Sequence, residues 1–143
     1  VLALSALGVV YLQTGFGAWL RHSGAPLAQA IHVLFAAVAA GIVLVLASQL
    51  RRSAEPTLVR VARWLRALVW TQVALGFLAW IAVYVLTGPH RPVSVSEAIF
   101  ATAHVACGAI LLAACVAAHV FVRRVALGTP SDAMARHGVE VVR

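Results

Sequence analysis

The chain has 143 residues, of which 63% are hydrophobic and 10% charged. A soluble domain is usually about 45–50% apolar, and the mean hydropathy here is +0.98, so an ordinary water-soluble fold is excluded. The net charge of +7 would suit nucleic acid, but the arginines cluster by side of a membrane, and no nucleic-acid partner is expected.

Four stretches are long and nearly uncharged: Val1–Leu20, Pro26–Leu50, Ala67–Leu86 and Ala98–Val122. About 20 apolar residues cross a bilayer as a helix. Lipid cannot satisfy an open backbone, so helices are the natural solution. The alternating hydrophobicity of a transmembrane barrel is absent. The expected fold is an all-α membrane protein, a four-transmembrane-helix bundle with short connections. It occupies residues 1–124, followed by a cytoplasmic tail, 125–143, whose polar, Gly- and Pro-containing sequence predicts disorder.

Span one opens on Val1 rather than Met, so upstream sequence is expected. Its 20 apolar residues are too many for a signal peptide, and no cleavage-type flank follows. It carries Gln13-x-x-x-Gly17 with Trp19 just after, then Arg21 and His22 in a short loop. Span two starts at Pro26 and holds Gln29, His32 and Ala36. Arg51, Arg52, Arg60, Arg63 and Arg66 lie between spans two and three or at the foot of span three. Span three repeats the first pattern as Gln72-x-x-x-Gly76, with Trp80 after it. The next loop, "TGPHRPVSVSE", has helix-breaking Pro89 and Pro92, and Ser94 or Ser96 as a cap for span four. Glu97 reads as part of that cap, with a carboxylate near an outer site as the alternative. Span four holds His104, Cys107, Gly108, Cys115 and His119, and Arg123, Arg124, Arg136 and Arg143 follow it.

Nine arginines therefore lie on one side and two, Arg21 and Arg91, on the other. The positive-inside rule places both termini in the cytoplasm. Trp19 and Trp64 read as interfacial belt residues. The matched Gln, Gly and His positions make spans one and two resemble spans three and four, as two similar helical hairpins in tandem. The two cysteines lie in one span without a CxxC or CxxCH pattern, and read as small buried residues.

His32 comes six residues after Pro26, and His104 six residues after Ala98. At 1.5 Å per residue, both sit roughly 9 Å inside the outer edge of their spans. A polar side chain within a span is costly and marks a functional hypothesis. Two imidazoles at one depth on two helices can supply both axial ligands of a heme iron. Zinc fits less well, because no carboxylate or thiolate set completes a tetrahedron at that depth. Ala36 and Gly108, one turn beyond each histidine, let a flat porphyrin lie close. Gln29, one turn before His32, is placed to orient its ring or meet a propionate. Arg21, His22, His90 and Arg91 are placed for propionates or are solvated loop residues. His119 is more than about 20 Å along the axis from His104, and is expected to serve a snorkelling or interface role. His137 lies in the tail.

The stretches "GFGAWLRHSGA", Gln29-x-x-His32, "QVALGFLAW" and "AHVACGAILLA" resemble the heme A synthase family of cytochrome oxidase assembly proteins, over residues 11 to 122. The family has two similar four-helix halves, each with a histidine pair on its second and fourth helices. One half handles heme O, whose C8 methyl is oxidised to the formyl of heme A. The other holds an electron-transferring heme b. The resemblance implies a multi-pass protein of the bacterial cytoplasmic membrane with His32 and His104 as iron ligands. It also implies a heme b, with heme O or heme A as substrate or product. A second four-helix half or a homo-oligomer is an implied partner, with an electron donor such as a quinol. Gln29 stands where the substrate-handling half carries Glu, Val33 stands where Arg often follows the histidine, and the outer-loop cysteine pair is absent. These features resemble the heme b half. A non-catalytic b-type cytochrome and a heme-free structural membrane subunit are the alternative functions.

Overall fold

The computed structural model describes residues 1–83 and 93–128. Among them are four helices: α1 (Leu2–Ser23), α2 (Pro26–Leu50), α3 (Pro56–Trp80) and α4 (Val95–Leu127). Each is long and apolar enough to cross a membrane, so the chain is an all-α, four-helix membrane protein. The end of span three at Leu86, Pro89, His90, Arg91 and Pro92 lie outside the described residues. So do Arg136, His137 and Arg143 of the tail.

Local chemistry sets the helix ends. Gly24 closes α1 in the left-handed conformation, with φ 60° and its N–H donating to the Leu20 carbonyl. Only a residue without Cβ takes that φ at no cost. Pro26 then opens α2 at a first-turn position that needs no N–H. The turn is short, so α1 and α2 are antiparallel neighbours. Pro56 opens α3 in the same way, and the Glu55 carboxylate accepts from the Thr57 N–H at 3.3 Å. Ser94 caps α4 by accepting from the Glu97 N–H at 3.1 Å. Glu97 therefore sits in the first turn of α4, where a negative charge complements the helix dipole.

Helices α3 and α4 reach well beyond their apolar runs. α3 begins eleven residues before Ala67, and α4 runs three residues past Arg124. The arginines that interrupt the apolar run do not interrupt the helix. Arg60 and Arg63 are exposed, while Leu58, Ala62 and Leu65 recur at helical spacing on the buried face.

Helices adjacent in sequence pack together, and α1 closes the ring against α4, whereas α1 and α3, and α2 and α4, keep their backbones apart as diagonal pairs. The packing is uneven along the axis. Toward the end that carries the α2–α3 turn, Val10, Val43, Leu46, Leu58, Leu65, Val69 and Leu111 interlock around Ala6, Ala47, Ala62, Cys115 and Ala118. Toward the opposite end the buried described residues are small: Ala28, Ala39, Ala82 and Cys107. No described side chain larger than cysteine is fully buried in that half. Leu65→Ala should therefore cost about 2–5 kcal/mol by opening a cavity in the dense half. Leu34→Ala, on a side chain 71% exposed toward lipid, should change stability by less than about 0.5 kcal/mol. Unfolding in detergent micelles reads both, and equal costs would contradict this division of the core.

Candidate functional site

His32 and His104 project from the diagonal helices α2 and α4. Their ring centroids lie 6.3 Å apart, with the ring planes at 79°. This is the half of the bundle in which the buried described residues are small. Both rings are half-buried, and each is seated against the helix that precedes its own in the chain.

His104 rests on α3. Its Nδ1–H donates to the Gln72 main-chain carbonyl at 3.2 Å. The Gln72 side-chain amide lies 3.3 Å from its Nε2. The contact needs Gly76: a Cβ there would stand 2.9 Å from His104 Cε1 and 3.2 Å from Nδ1. In a helix, the residue four positions on shields a carbonyl from the side, so a glycine at 76 opens the Gln72 carbonyl to an outside donor. The notch is reciprocal. Gly108, one turn after His104, leaves space that the Gln72 amide fills, since a Cβ there would be 3.1 Å from its Nε2.

His32 rests on α1 in the matching way. A Cβ at Gly17 would stand 3.1 Å from His32 Cε1. The Gln13 amide nitrogen lies 3.1 Å from Nδ1 and 3.4 Å from Nε2, and it donates to the His32 main-chain carbonyl at 3.0 Å. Beside the ring, Phe16 of α1 meets Phe35 of α2 edge to face at 5.0 Å. One turn nearer the dense half, the Cys107 thiol faces the Leu68 carbonyl at 3.8 Å. The side-chain oxygens of Gln13 and Gln72 are both buried with no hydrogen-bond partner among the described residues. Flipping the Gln13 amide would set oxygen against oxygen at the His32 carbonyl, so its orientation is determined by that contact.

The other candidate residues are more dispersed. Gln29 is half-buried one turn before His32, but the hydrogen bonds to the two rings come from Gln13 and Gln72. The room at Gly108 is occupied by the Gln72 amide rather than open toward a flat ligand. Arg21 and His22 are exposed in the last turn of α1. His119 lies on the α4 segment that belongs to the dense half. Trp19 and Trp64 face outward. Gln13, Gly17, Gln72 and Gly76 were visible in the sequence as a repeated motif. Their contact with the histidines follows from the antiparallel register, in which 17 meets 32 and 76 meets 104.

Among the described residues, no three metal-ligating side chains converge. No protein-family model, curated protein or solved structure matches the chain.

A neutral imidazole carries one N–H, and a hydrogen bond to one nitrogen selects which. With the Gln72 carbonyl at Nδ1, His104 should be the Nδ1–H tautomer. Nitrogen-15 NMR of histidine-labelled protein should show a protonated, hydrogen-bonded Nδ1 for His104. A protonated Nε2 with a bare Nδ1 would contradict the seating described here.

Proposed function

We propose that this chain is a heme-binding membrane protein of the heme A synthase type, with His32 and His104 as the axial ligands of one heme iron. The observation that carries the reading is the meeting of two imidazoles across the bundle diagonal, in the half where, among the described residues, the buried ones are small. Three further features support the fit. The 6.3 Å between the ring centres is a separation at which the two imidazoles would hold one metal ion between them. A two-histidine donor set is complete for a porphyrin iron and incomplete for tetrahedral zinc. Each ring has a polar neighbour to orient it, as ligating histidines usually do.

The heme, when bound, supplies the electron-transfer chemistry. The chain's part is to hold the two imidazoles at one level, to keep the surroundings apolar, and to place the site near one membrane face. The arginine distribution assigns that face to the outside and both termini to the cytoplasm. Reporter fusions at Glu55 and Val93 should report opposite sides, with Glu55 cytoplasmic. Fusions reporting one side would overturn the topology.

Of the two hairpin-pair halves known in that family, this bundle resembles the electron-transferring one, because Gln29 and Val33 stand at the positions that distinguish them. Its role in heme A formation then requires a second four-helix half, in the same polypeptide or as a partner. The second reading is a b-type cytochrome that relays electrons without forming heme A. Expression in a host that accumulates heme O separates the two, since only the first yields heme A when the other half is supplied.

A pyridine hemochrome assay should find one heme per chain in the purified protein. His32→Ala and His104→Ala should each give high-spin or missing heme, while His119→Ala should leave the spectrum intact. Low-spin, wild-type spectra in both of the first two variants would remove the pair as ligands. Loss of heme in His119→Ala alone would move the site to the other end of the bundle.

A further inference from the structure

The two histidines are seated by one device, used twice. On α1 and on α3, a glutamine is followed four residues later by a glycine. The glycine faces the imidazole of the next helix, and a Cβ would stand 3.1 Å from His32 Cε1 at Gly17 and 2.9 Å from His104 Cε1 at Gly76. These distances are tighter than ordinary contact, and at Gly76 something must shift. The glutamine closes the same contact from the other side. Its amide reaches the His32 carbonyl and ring at position 13, and fills the Gly108 notch at position 72. The ring of one helix therefore sits in a notch of the other, and at α3–α4 the exchange runs both ways, one turn apart. Such an interlock permits one axial register. A slip of one turn, about 5.4 Å, would bring the imidazole against a residue that carries a Cβ instead of a glycine.

We propose that Gln13–Gly17 and Gln72–Gly76 are positioning residues for the two iron ligands. The glycines set how far each imidazole sits from its neighbouring helix. The glutamines lock the register so that both rings reach one level. At His104 the Gln72 carbonyl also holds the proton on Nδ1, so Nε2, which faces the Gln72 amide nitrogen at 3.3 Å here, would be the nitrogen that holds the iron once that amide turns aside. This inference rests on the heme reading, and it adds residues that touch the ligands rather than the iron. Polar partners of metal-ligating histidines govern metal affinity by roughly 10- to 100-fold, and a misplaced ring changes both the potential and the ligand-field anisotropy of the iron.

The test uses the purified full chain loaded with heme. Gly17→Ala and Gly76→Ala are compared with Gly41→Ala, where a Cβ meets nothing within 4 Å. The readouts are midpoint potential, the g-values of the ferric low-spin signal, and the rate of heme transfer to a scavenging apoprotein. Gly17→Ala and Gly76→Ala should shift the potential, alter the g-values and speed heme loss about 10-fold or more. Gly41→Ala should match the wild type. If either glycine variant fails to insert as a helical protein, Gln13→Leu and its near-isosteric companion Gln13→Glu decide the question. Gln13→Leu removes the donor to the His32 carbonyl and Gln13→Glu replaces the amide with a carboxyl that donates there only when protonated; both should move the potential, whereas unchanged potentials and g-values would overturn the inference. Unchanged values in Gly17→Ala and Gly76→Ala would overturn it equally, with the ligands themselves untouched. The heme reading fails separately, if His32→Ala and His104→Ala keep the wild-type low-spin spectrum.

Discussion

The structure depends on the cost of placing an imidazole inside a membrane-spanning bundle. A polar ring in hydrocarbon needs partners, and each helix of this bundle spends its own backbone bonds on itself. The solution is to borrow from the neighbouring helix at a point where glycine exposes it. Gly76 opens the Gln72 carbonyl to His104, and Gly17 brings His32 against Gln13. Because both contacts are register-specific, they align α1 with α2 and α3 with α4. The diagonal meeting of the two imidazoles at 6.3 Å follows from those two alignments.

The uneven core fits the same logic. Membrane helices gain little from excluding lipid, so their association rests on close packing and interhelical hydrogen bonds. Here the two contributions are separated along the axis. Leu65, Val43, Leu46 and Leu111 supply dense packing at the end with the α2–α3 turn. The histidine end has the polar contacts, with alanine and cysteine as its buried described residues. A bundle built in this way can hold its shape from one end while the other end accommodates a group between helices. On our reading that group is a heme whose iron the two imidazoles hold.

Much of the fold was legible in the sequence. Four apolar runs became four helices, and α2 matches its run at both ends because Pro26 and the turn after Leu50 bound it. α3 was read too short because hydropathy counts Arg60, Arg63 and Arg66 as breaks. In the helix Arg60 and Arg63 lie on the exposed side, away from Leu58, Ala62 and Leu65, and Arg66 sits half-buried at its margin. The proximity of the two histidines was legible from their matched depth, their repeat position and their small neighbours. Their polar neighbours were not, because Gln29 is near His32 in sequence whereas Gln13 is near it only in the folded register. Likewise, Gly108 looked like clearance for a flat ligand, and the Gln72 side chain fills it. Within a helix, spacing reports which residues share a face; it does not report what the next helix puts against that face. The repeated Gln-x-x-x-Gly opposite His-x-x-x-small was the available signal.

The central claim is that His32 and His104 hold one iron between them. Near-infrared magnetic circular dichroism of the ferric, heme-loaded protein reads the axial ligands directly. The account predicts a single low-spin heme with two imidazole nitrogens. A high-spin heme, or a low-spin heme with only one histidine on the iron, would contradict it.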